Sequence, residues 1–432
     1  MKKIVLASAF ILAACSAFSQ DVNKLIKRKY VYKVIKTLSS DKMEGRGTFT
    51  PGIERAAQFI EKQYKKIGLV PMSGNDGYRQ NLTLFRSKTT SLSCSINGQP
   101  IAAESVCAIS GESFNWTQDS GVEVNVISKD ANFRVVYRGF VSDHKKHLIL
   151  MDNSFAEYFG HLHANAIMGK VTVKPSLGNP PIVIVMGKFD DVKTFKVDGI
   201  AETKELPAFN IVGMIPGKTR ADEYVVYGGH YDHLGILPAV KGDSIANGAD
   251  DDASGTTAVI TLAKYFKKIN NNARTLVFVA FTGEEIGELG SQHFATTVNP
   301  DKVVAMFNIE MIGKPSKFGQ NSAFITGFNR SDFGPILQRN LEGTPFKFYP
   351  DPYPAQDLFY RSDNASLAKV GVPAHTISTD QIDIDSLYHT VGDELQTLDV
   401  DNIVATIRAI ALSSGSIISG KDTPTRVPKL ER

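Results

Sequence analysis

The fold of this chain is decided by the stretch Tyr224-Val-Val-Tyr-Gly-Gly-His230-Tyr-Asp232-His-Leu-Gly and by the run Asn247-Gly-Ala-Asp250-Asp251-Asp252-Ala-Ser-Gly255, which follows a polar loop. An alternating, β-branched run ends at His230, and the amphipathic run Thr256–Lys268 follows the three aspartates. This order predicts a buried strand, a loop and the start of a helix. Ligands gather at strand ends in open α/β sheets, and carboxylates that converge there repel one another unless a cation lies among them. The stretch therefore predicts a cation site at the edge of a sheet.

Strand patterns alternate with helix patterns from residue 206 onward. The predicted strands cover Ala208–Ile215, Glu223–Gly229, Thr275–Phe281, Val303–Met311, Ser322–Gly327 and Val370–Ser378. The predicted helices cover Pro51–Ile67, Thr256–Lys268, Glu288–Thr296 and Asp401–Ser414. This alternation predicts an α/β fold, in which helices flank a mostly parallel, mixed sheet.

Residues 86–205 differ in character and predict a β-rich inserted domain, of an apical or protease-associated-like kind. Turn residues separate short alternating runs at Val122–Ile127, Phe133–Tyr137, Leu148–Met151 and Ile182–Val185. The insert divides the α/β domain into residues 20–85 and 206–419. Residues 420–432 are polar and basic, and we expect a mobile tail there.

The N-terminal residues have the features of an export signal. Met1-Lys-Lys precedes the apolar run Ile4–Ala14, which is too short to span a bilayer. We favour cleavage after Ser19, which would remove residues 1–19. The alternative is a lipobox at Leu12-Ala-Ala-Cys15, in which Cys15 would carry a lipid anchor. We expect a periplasmic or secreted protein, or otherwise an outer-membrane lipoprotein, without a transmembrane segment after signal removal.

Other polar features indicate no further site. Cys94 and Cys107 would remain in an exported chain, where they form either a disulfide or two buried thiols. His161 and His163 have strand spacing but lack a nearby carboxylate or cysteine cluster, so we expect no metal there. The net charge is +3 and the basic residues are scattered, which gives no reason to expect a nucleic-acid partner.

Three further segments carry residues that bind metals or move protons. They are Thr275-Leu-Val-Phe-Val-Ala-Phe-Thr-Gly283-Glu284-Glu285, Asn308-Ile-Glu310 and Leu387-Tyr388-His389-Thr-Val-Gly-Asp393. Adjacent carboxylates beside an apolar core are costly unless one binds a cation and the other handles a proton. Neighbouring residues at a strand end point in different directions, which suits two roles.

With these segments the chain resembles metallopeptidase family twenty-eight, which includes bacterial leucyl aminopeptidases, glutamate carboxypeptidases, glutaminyl cyclases and the inactive transferrin receptor. The matching motifs are His230-x-Asp232, Gly248–Gly255, Gly283–Glu285, Asn308–Met311 and Tyr388–Thr390. The resemblance extends to Ser40-Asp-Lys-Met-Glu-Gly-Arg-Gly47 and to Arg361–Pro373, and it leaves out only the insert. It implies the zinc-exopeptidase type of α/β fold.

The resemblance implies two zinc ions that share Asp251 as a bridging ligand. His230 and Glu310 would complete one site, and Glu285 and His389 would complete the other. The family usually has aspartate where Glu310 stands, so the extra methylene could alter the geometry of that site or weaken its selectivity for zinc.

Other roles also follow from the resemblance. Glu284 would be the general base that takes a proton from the zinc-bridging water and passes it to the leaving amine. Asp232 and Asp252 would support the ligands, Asp232 by orienting the imidazole of His230, and the Asp251–Asp252 peptide bond would be cis. Tyr388 would stabilise the oxyanion or, alternatively, serve only in packing.

The leading hypothesis is an exported di-zinc aminopeptidase that acts on peptides. A carboxypeptidase or dipeptidase of the same fold is the first alternative, and a catalytically inactive binding protein is the second. A glutaminyl cyclase is disfavoured because those enzymes typically work with one zinc. Asn364 replaces a histidine that the family often has in a pocket-lining segment, which leaves the substrate preference open.

Overall fold

The computed structural model describes residues 22–75, 77–175, 180–189 and 191–430. The predicted signal peptide, its two alternative processing sites and Cys15 therefore lie outside the described residues. The chain divides into two compact units. The described residues up to 82 together with those from 208 form the large unit, and residues 83–207 form the small unit. No helix in the described ranges has the length and apolar character needed to cross a membrane.

The helices and strands of the described residues are numbered here in chain order. The helices are α1 (Arg28–Leu38), α2 (Pro51–Ile67), α3 (Phe133–Ser142), α4 (Ala156–Met168), α5 (Ala253–Ile269), α6 (Leu289–Thr297), α7 (Phe333–Asn340), α8 (Asn364–Ala368), α9 (Val400–Ser413) and α10 (Gly415–Ile418). The strands are β1 (Val70–Pro71), β2 (Arg79–Ile96), β3 (Gln99–Pro100), β4 (Val106–Ile109), β5 (Phe114–Thr117), β6 (Glu123–Ile127), β7 (His147–Met151), β8 (Lys170–Thr172), β9 (Ile182–Met186), β10 (Phe195–Ile215), β11 (Arg220–His230), β12 (Gly235–Val240), β13 (Asp243–Ala246), β14 (Arg274–Phe281), β15 (Val303–Ile309), β16 (Ser322–Ile325), β17 (Lys347–Pro350) and β18 (Ala374–Ser378).

The sheet of the large unit has the order β17-β16-β18-β15-β11-β14-β10. Strand β11 is parallel to both β14 and β15, and β15 is parallel to β18. Two pairs, β16 with β18 and β10 with β14, are antiparallel. The predicted α/β fold with a mostly parallel, mixed sheet is therefore confirmed.

Helices cover both faces of this sheet, which explains the continuous apolar runs in its central strands. Along β11, Val225 and Tyr227 belong to one hydrophobic cluster and Val226 belongs to another. The first cluster includes buried residues of α1, α2, α5 and α9, and the second includes residues of α6 and α8. Tyr227 stacks on Phe278 and Phe307 of the two neighbouring strands, with ring centroids 5.4 and 4.9 Å apart.

The parallel register brings three strand ends to one edge of the sheet. His230 at the end of β11 pairs with Phe281 at the end of β14, and Gly228 pairs with Asn308 of β15. The residues that directly follow β14 and β15 therefore emerge beside His230. This is the edge at which open α/β sheets bind their ligands.

The small unit contains two α-helices besides its strands, and the prediction of a β-rich insert did not include them. Its four-stranded sheet has the order β4-β9-β7-β6, with parallel pairs β6–β7 and β7–β9 that α3 and α4 connect. Phe133–Tyr137, predicted as a strand, begins α3. Asn132 caps this helix by accepting a hydrogen bond from the Val135 amide. Phe133, the first residue of the helix, is buried in a hydrophobic cluster of the small unit. A run of five residues does not distinguish helix from strand spacing.

In the small unit, the two histidines noted in the sequence lie in a helix and the two cysteines lie in hydrophobic clusters. His161 and His163 lie in α4, not in a strand. Cys94 and Cys107 are free thiols in two different hydrophobic clusters, which contradicts the disulfide alternative. Burial raises the pKa of Cys94 to about 11 and that of Cys107 to about 12.

The tail is anchored as far as it is described, so the prediction of mobility is wrong for residues 420–430. Val427 is buried in the cluster of α6 and α8. Arg426 Nη1 donates a hydrogen bond of 2.8 Å to the main-chain oxygen of Val303, and the Thr425 amide donates to Asp332 Oδ1. The polar composition of the tail concealed these contacts, because they are made with distant segments.

The buried His375 of β18 provides a test of this packing. Its Nδ1–H donates to the main-chain oxygen of Thr326, and its Nε2 accepts from the Ser331 hydroxyl, both at 2.8 Å. Burial lowers the pKa of His375 to about 4. The neutral ring is therefore favoured in the folded protein, and protonation favours the unfolded chain.

We predict that His375 makes the free energy of unfolding fall by about 2 kcal/mol from about pH 7 to about pH 5. The contribution is complete above the unfolded pKa of about 6.5 and is lost as the pH falls toward the folded pKa. Urea unfolding of the wild type and of His375→Gln at both pH values measures it. In His375→Gln the free energy of unfolding should depend less steeply on pH than in the wild type. In His144→Gln, at an exposed position, its dependence on pH should match that of the wild type. Equal slopes for all three proteins would contradict the prediction.

Candidate metal centre

Asp251 lies between two histidines at the sheet edge. Its Oδ1 is 3.1 Å from His230 Nε2, and its Oδ2 is 3.2 Å from His389 Nε2. His389 Nε2 is also 3.1 Å from Glu285 Oε2. Ligand atoms of His230, Asp251 and Glu285 lie within 4.8 Å of one another. Each oxygen of Asp251 thus faces a different histidine, as in a carboxylate that bridges two cations.

Two more carboxylates face the same space. Glu284 Oε2 is 4.0 Å from His230 Nε2, and burial raises the pKa of Glu284 well above its ordinary value. Burial also raises the pKa of Glu310 to about 7, an effect that the charge of Asp251 reinforces and that of His230 opposes. Glu310 lies outside the group of His230, Asp251 and Glu285 but near enough to interact electrostatically with all three of its members.

The aspartate loop is held by hydrogen bonds from its neighbours. Asp252 caps α5 by accepting from the Gly255 amide at 2.9 Å, and it accepts from the Met311 amide at 3.2 Å. Asp393 accepts from the amides of Asp250 and Asp251. The Asp251–Asp252 peptide bond is cis, as the family resemblance implies. A Cβ at Gly255 would lie 1.9 Å from the Ile309 oxygen, so only glycine permits this approach of α5 to β15.

Asp232 supports the site differently from the prediction. The Nδ1 of His230 lies 3.1 Å from the main-chain oxygen of Asp232, whereas the Asp232 carboxylate is 3.8 Å away. That carboxylate accepts from the amides of Glu284 and Glu285 and from the Thr48 hydroxyl. The carbonyl therefore orients the imidazole with Nε2 toward Asp251, and the carboxylate fixes the turn that carries the two glutamates.

His233 is a part of the site that the sequence interpretation missed. Its Nδ1 is 2.6 Å from Glu285 Oε1 and 3.7 Å from Asp251 Oδ2, and the side chain is fully buried. The signal was present in the opening stretch, as a second histidine three residues after His230. Strand alternation gave no reason to assign it, because β11 ends before it.

Arg46 is the second residue that was missed, although it lies in the N-terminal stretch that resembles the family. This buried guanidinium donates to main-chain oxygens of Leu38, Tyr231, Asn247, Gly248 and Asp251, at 2.6 to 3.4 Å. It thereby links the end of β11 to the aspartate loop. Burial lowers the pKa of Arg46, and the negative charge of Asp251 opposes this shift.

A cavity adjoins Glu310 and Tyr388. Tyr388 stacks on His389 with ring centroids 3.9 Å apart, and burial raises the pKa of its phenol well above the usual value. Asn364, expected in a pocket-lining segment, does not line this cavity. It is buried, donates to the main-chain oxygens of Phe359 and Ala374, and accepts from Thr376. The replacement at this position therefore serves packing of the core.

The donor groups fit a divalent metal. Imidazole nitrogens and carboxylate oxygens are the ligands that zinc takes in proteins, often with open positions for water or substrate. His230 Nε2 is buried and faces carboxylate oxygens, Asp251 Oδ1 at 3.1 Å and Glu284 Oε2 at 4.0 Å, as expected of a metal-ligand atom. Positive charge would also relieve the repulsion among Asp251, Glu284 and Glu310.

Part of the chain is similar in sequence to known peptidases. The family model of peptidase family M28 matches residues 210–413. A probable zinc metalloprotease of Pyrenophora teres f. teres is 42% identical over 106 residues, which cover 24% of this chain and 22% of the relative. Leucine aminopeptidase 1 of Neurospora crassa is 30% identical over 210 residues, which cover 46% of this chain and 51% of the relative.

A solved structure extends the likeness of fold to nearly the whole chain. The aminopeptidase from Aneurinibacillus sp. strain AM-1 has a TM-score of 0.57 at 17% identity, over 96% of this chain and 97% of that one. This likeness concerns the fold alone. The chain spans about a fifth of the length of the probable zinc metalloprotease and about half of the length of leucine aminopeptidase 1. The match of the family model shows that residues 210–413 of this chain are similar to peptidase family M28.

Proposed function

We propose that this chain is an exported, co-catalytic di-zinc aminopeptidase that removes N-terminal residues from peptides. The observation that carries the proposal is the arrangement around Asp251, whose two oxygens face His230 at 3.1 Å and His389 at 3.2 Å. The names of the two curated relatives, a leucine aminopeptidase and a probable zinc metalloprotease, support the same activity.

Five side chains would hold the two ions. Asp251 would bridge them, with His230 and Glu310 on one side and Glu285 and His389 on the other. When bound, two zinc ions polarise a scissile carbonyl and lower the pKa of a water between them. Each of these positions retains an ionisable ligand, which argues against the inactive binding protein.

Glu284 is proposed as the general base. Its carboxylate lies beside His230, is partly buried and carries a raised pKa, so it can hold a proton that it receives near neutral pH. Because it neighbours the ligand Glu285, the same turn would fix both a ligand and a base. The amides of this turn are held by Asp232, which keeps the base in position.

Tyr388 is proposed to donate a hydrogen bond to the oxyanion. Its raised pKa keeps the phenol protonated at the pH of catalysis, and its ring stacks on the ligand His389. A protonated donor close to the reacting carbonyl would stabilise the negative charge that develops there.

Export is proposed from the N-terminal sequence alone. Either cleavage after Ser19 or lipidation of Cys15 would place the protein outside the cytoplasm, in the second case with a lipid anchor. Peptides in that compartment would then be its substrates.

A panel of aminoacyl-p-nitroanilides, with N-acetylated controls, tests the activity. We expect hydrolysis of free-amine substrates only, its loss on chelation, and its recovery with zinc. Glu284→Gln should lower kcat by about 10²- to 10⁴-fold while retaining zinc, because it removes a general base and not a ligand. The exposed Glu342→Gln is the matched control and should behave as the wild type.

Other outcomes of this panel favour the alternatives. If no aminoacyl substrate is cleaved but two zinc ions are bound, a carboxypeptidase or dipeptidase is favoured, and peptides blocked at either end distinguish the two. Arg361, which lines the cavity beside Glu310, is a group that could bind a terminal carboxylate in that case. Absence of both metal and activity would favour the inactive binding protein.

His233 gives a separate test of the metal centre. We predict that His233→Ala weakens zinc affinity by about 10- to 100-fold, because Glu285 loses the hydrogen bond that orients it. Competition with a chromophoric chelator measures this affinity without relying on activity. His144→Ala, at an exposed position of the small unit, should leave the affinity unchanged. An affinity equal to that of the wild type in His233→Ala would contradict the role.

A further inference from the structure

The cavity beside Glu310 has the form of a pocket for one substrate side chain. The space beside Glu310 measures about 490 Å³ when the open solvent at its mouth is counted. Its apolar lining is formed by Met311, Phe324, Leu358 and Ile382, and its polar lining by Glu310, Thr326, Arg361, Ser362, Thr376, Ser378, Asp380 and Tyr388. We call it the side-chain pocket. Because Glu310 belongs to both the pocket and the proposed metal centre, a substrate held at the metals would extend its first side chain here.

Asp380 is the unusual member of this lining. The residue is only 3% exposed, and no donor group among the described residues hydrogen-bonds to its carboxylate oxygens; its close neighbour is the carboxylate of Asp385, with which Asp380 shares a hydrogen bond only when it is protonated. A buried carboxylate without partners is costly, and proteins usually pair such a group. Its presence in a pocket wall suggests that a partner arrives with the ligand.

The charges around Asp380 strengthen this argument. Carboxylate oxygens of Asp250, Asp380 and Asp385 lie within 4.8 Å of one another. Lys314 bonds to Asp385 and lies 3.7 Å from Asp250 Oδ2, and it makes no ion pair with Asp380. One ammonium therefore pairs with two of the three carboxylates, and Asp380 is the one left without an ion pair. Burial, reinforced by the charges of Asp250 and Asp385, raises the pKa of Asp380 to about 8, and a further positive charge would favour its ionised form.

We infer that Asp380 binds the positively charged end of the substrate's first side chain, so that the enzyme prefers an N-terminal lysine or arginine. The inference rests on the proposed aminopeptidase function. Long basic side chains have an aliphatic stem, which suits the apolar lining, and a charged end, which suits Asp380. Arg361 opposes this preference little, because it is exposed, bonds to Gln356 and is screened by solvent.

Lysyl- and norleucyl-p-nitroanilide provide the sharpest comparison, because their stems match and only lysine carries the ammonium. We expect the wild type to have a kcat/KM at least about tenfold higher for lysine, and arginine to resemble lysine. Asp380→Asn should lower the lysine-to-norleucine ratio of kcat/KM by about tenfold to hundredfold. Asp383→Asn is the matched control, because the Asp383 carboxylate is exposed, lies 3.7 Å from Lys317 and does not line the pocket. The lysine-to-norleucine ratio of this variant should equal that of the wild type.

The outcomes separate this inference from the proposed function. Hydrolysis of norleucine at least as fast as that of lysine by the wild type would overturn the inference and leave the aminopeptidase intact. A lysine-to-norleucine ratio of kcat/KM that is unchanged in folded Asp380→Asn would also overturn the inference and leave the aminopeptidase intact. Failure to cleave any free-amine substrate would refute the proposed function itself. The wild-type ratio decides the question even if the variant does not fold.

Discussion

The burial of many carboxylates around Asp251 is the constraint on which the rest of this structure depends. Some of them are satisfied by the protein itself, because Asp232, Asp252 and Asp393 accept hydrogen bonds from main-chain amides. Others, such as Glu284, are left facing imidazoles and one another. The first group fixes the backbone, and the mutual repulsion in the second would be relieved by an added cation. The sheet edge is thus built as a rigid frame around a space that is unfavourable without positive charge.

Arg46 offsets part of this negative charge and also connects the frame. Its guanidinium reaches the end of β11 and the aspartate loop at once, through main-chain oxygens and not through carboxylates. The carboxylate oxygens of Asp251 therefore remain available to His230 and His389. A side-chain ion pair at the same place would have neutralised the group that the metal centre needs. Lysine lacks the forked donors required for this arrangement.

The sequence predicted the large unit well because its elements are long and its strand ends carry ligand-type residues. Helix α2 and the strands β11 and β14 follow from local periodicity, and the sheet register then brings His230 beside the turn of Glu284. The failures have a common cause. Arg46 contacts residues about 200 positions away, the tail contacts β15, and the five-residue start of α3 carries no distinctive period. Such roles depend on neighbours that meet only in the folded chain.

Glu310 connects the metal centre to substrate choice. The same side chain feels the charges of His230 and Asp251 and lines the side-chain pocket that contains Asp380. An aspartate, usual in the family, would withdraw the carboxylate by one methylene and widen the pocket at that point. If the proposed function and the inferred preference hold, Glu310 and Asp380 together would favour substrates with positive charge at both the amine and the side chain.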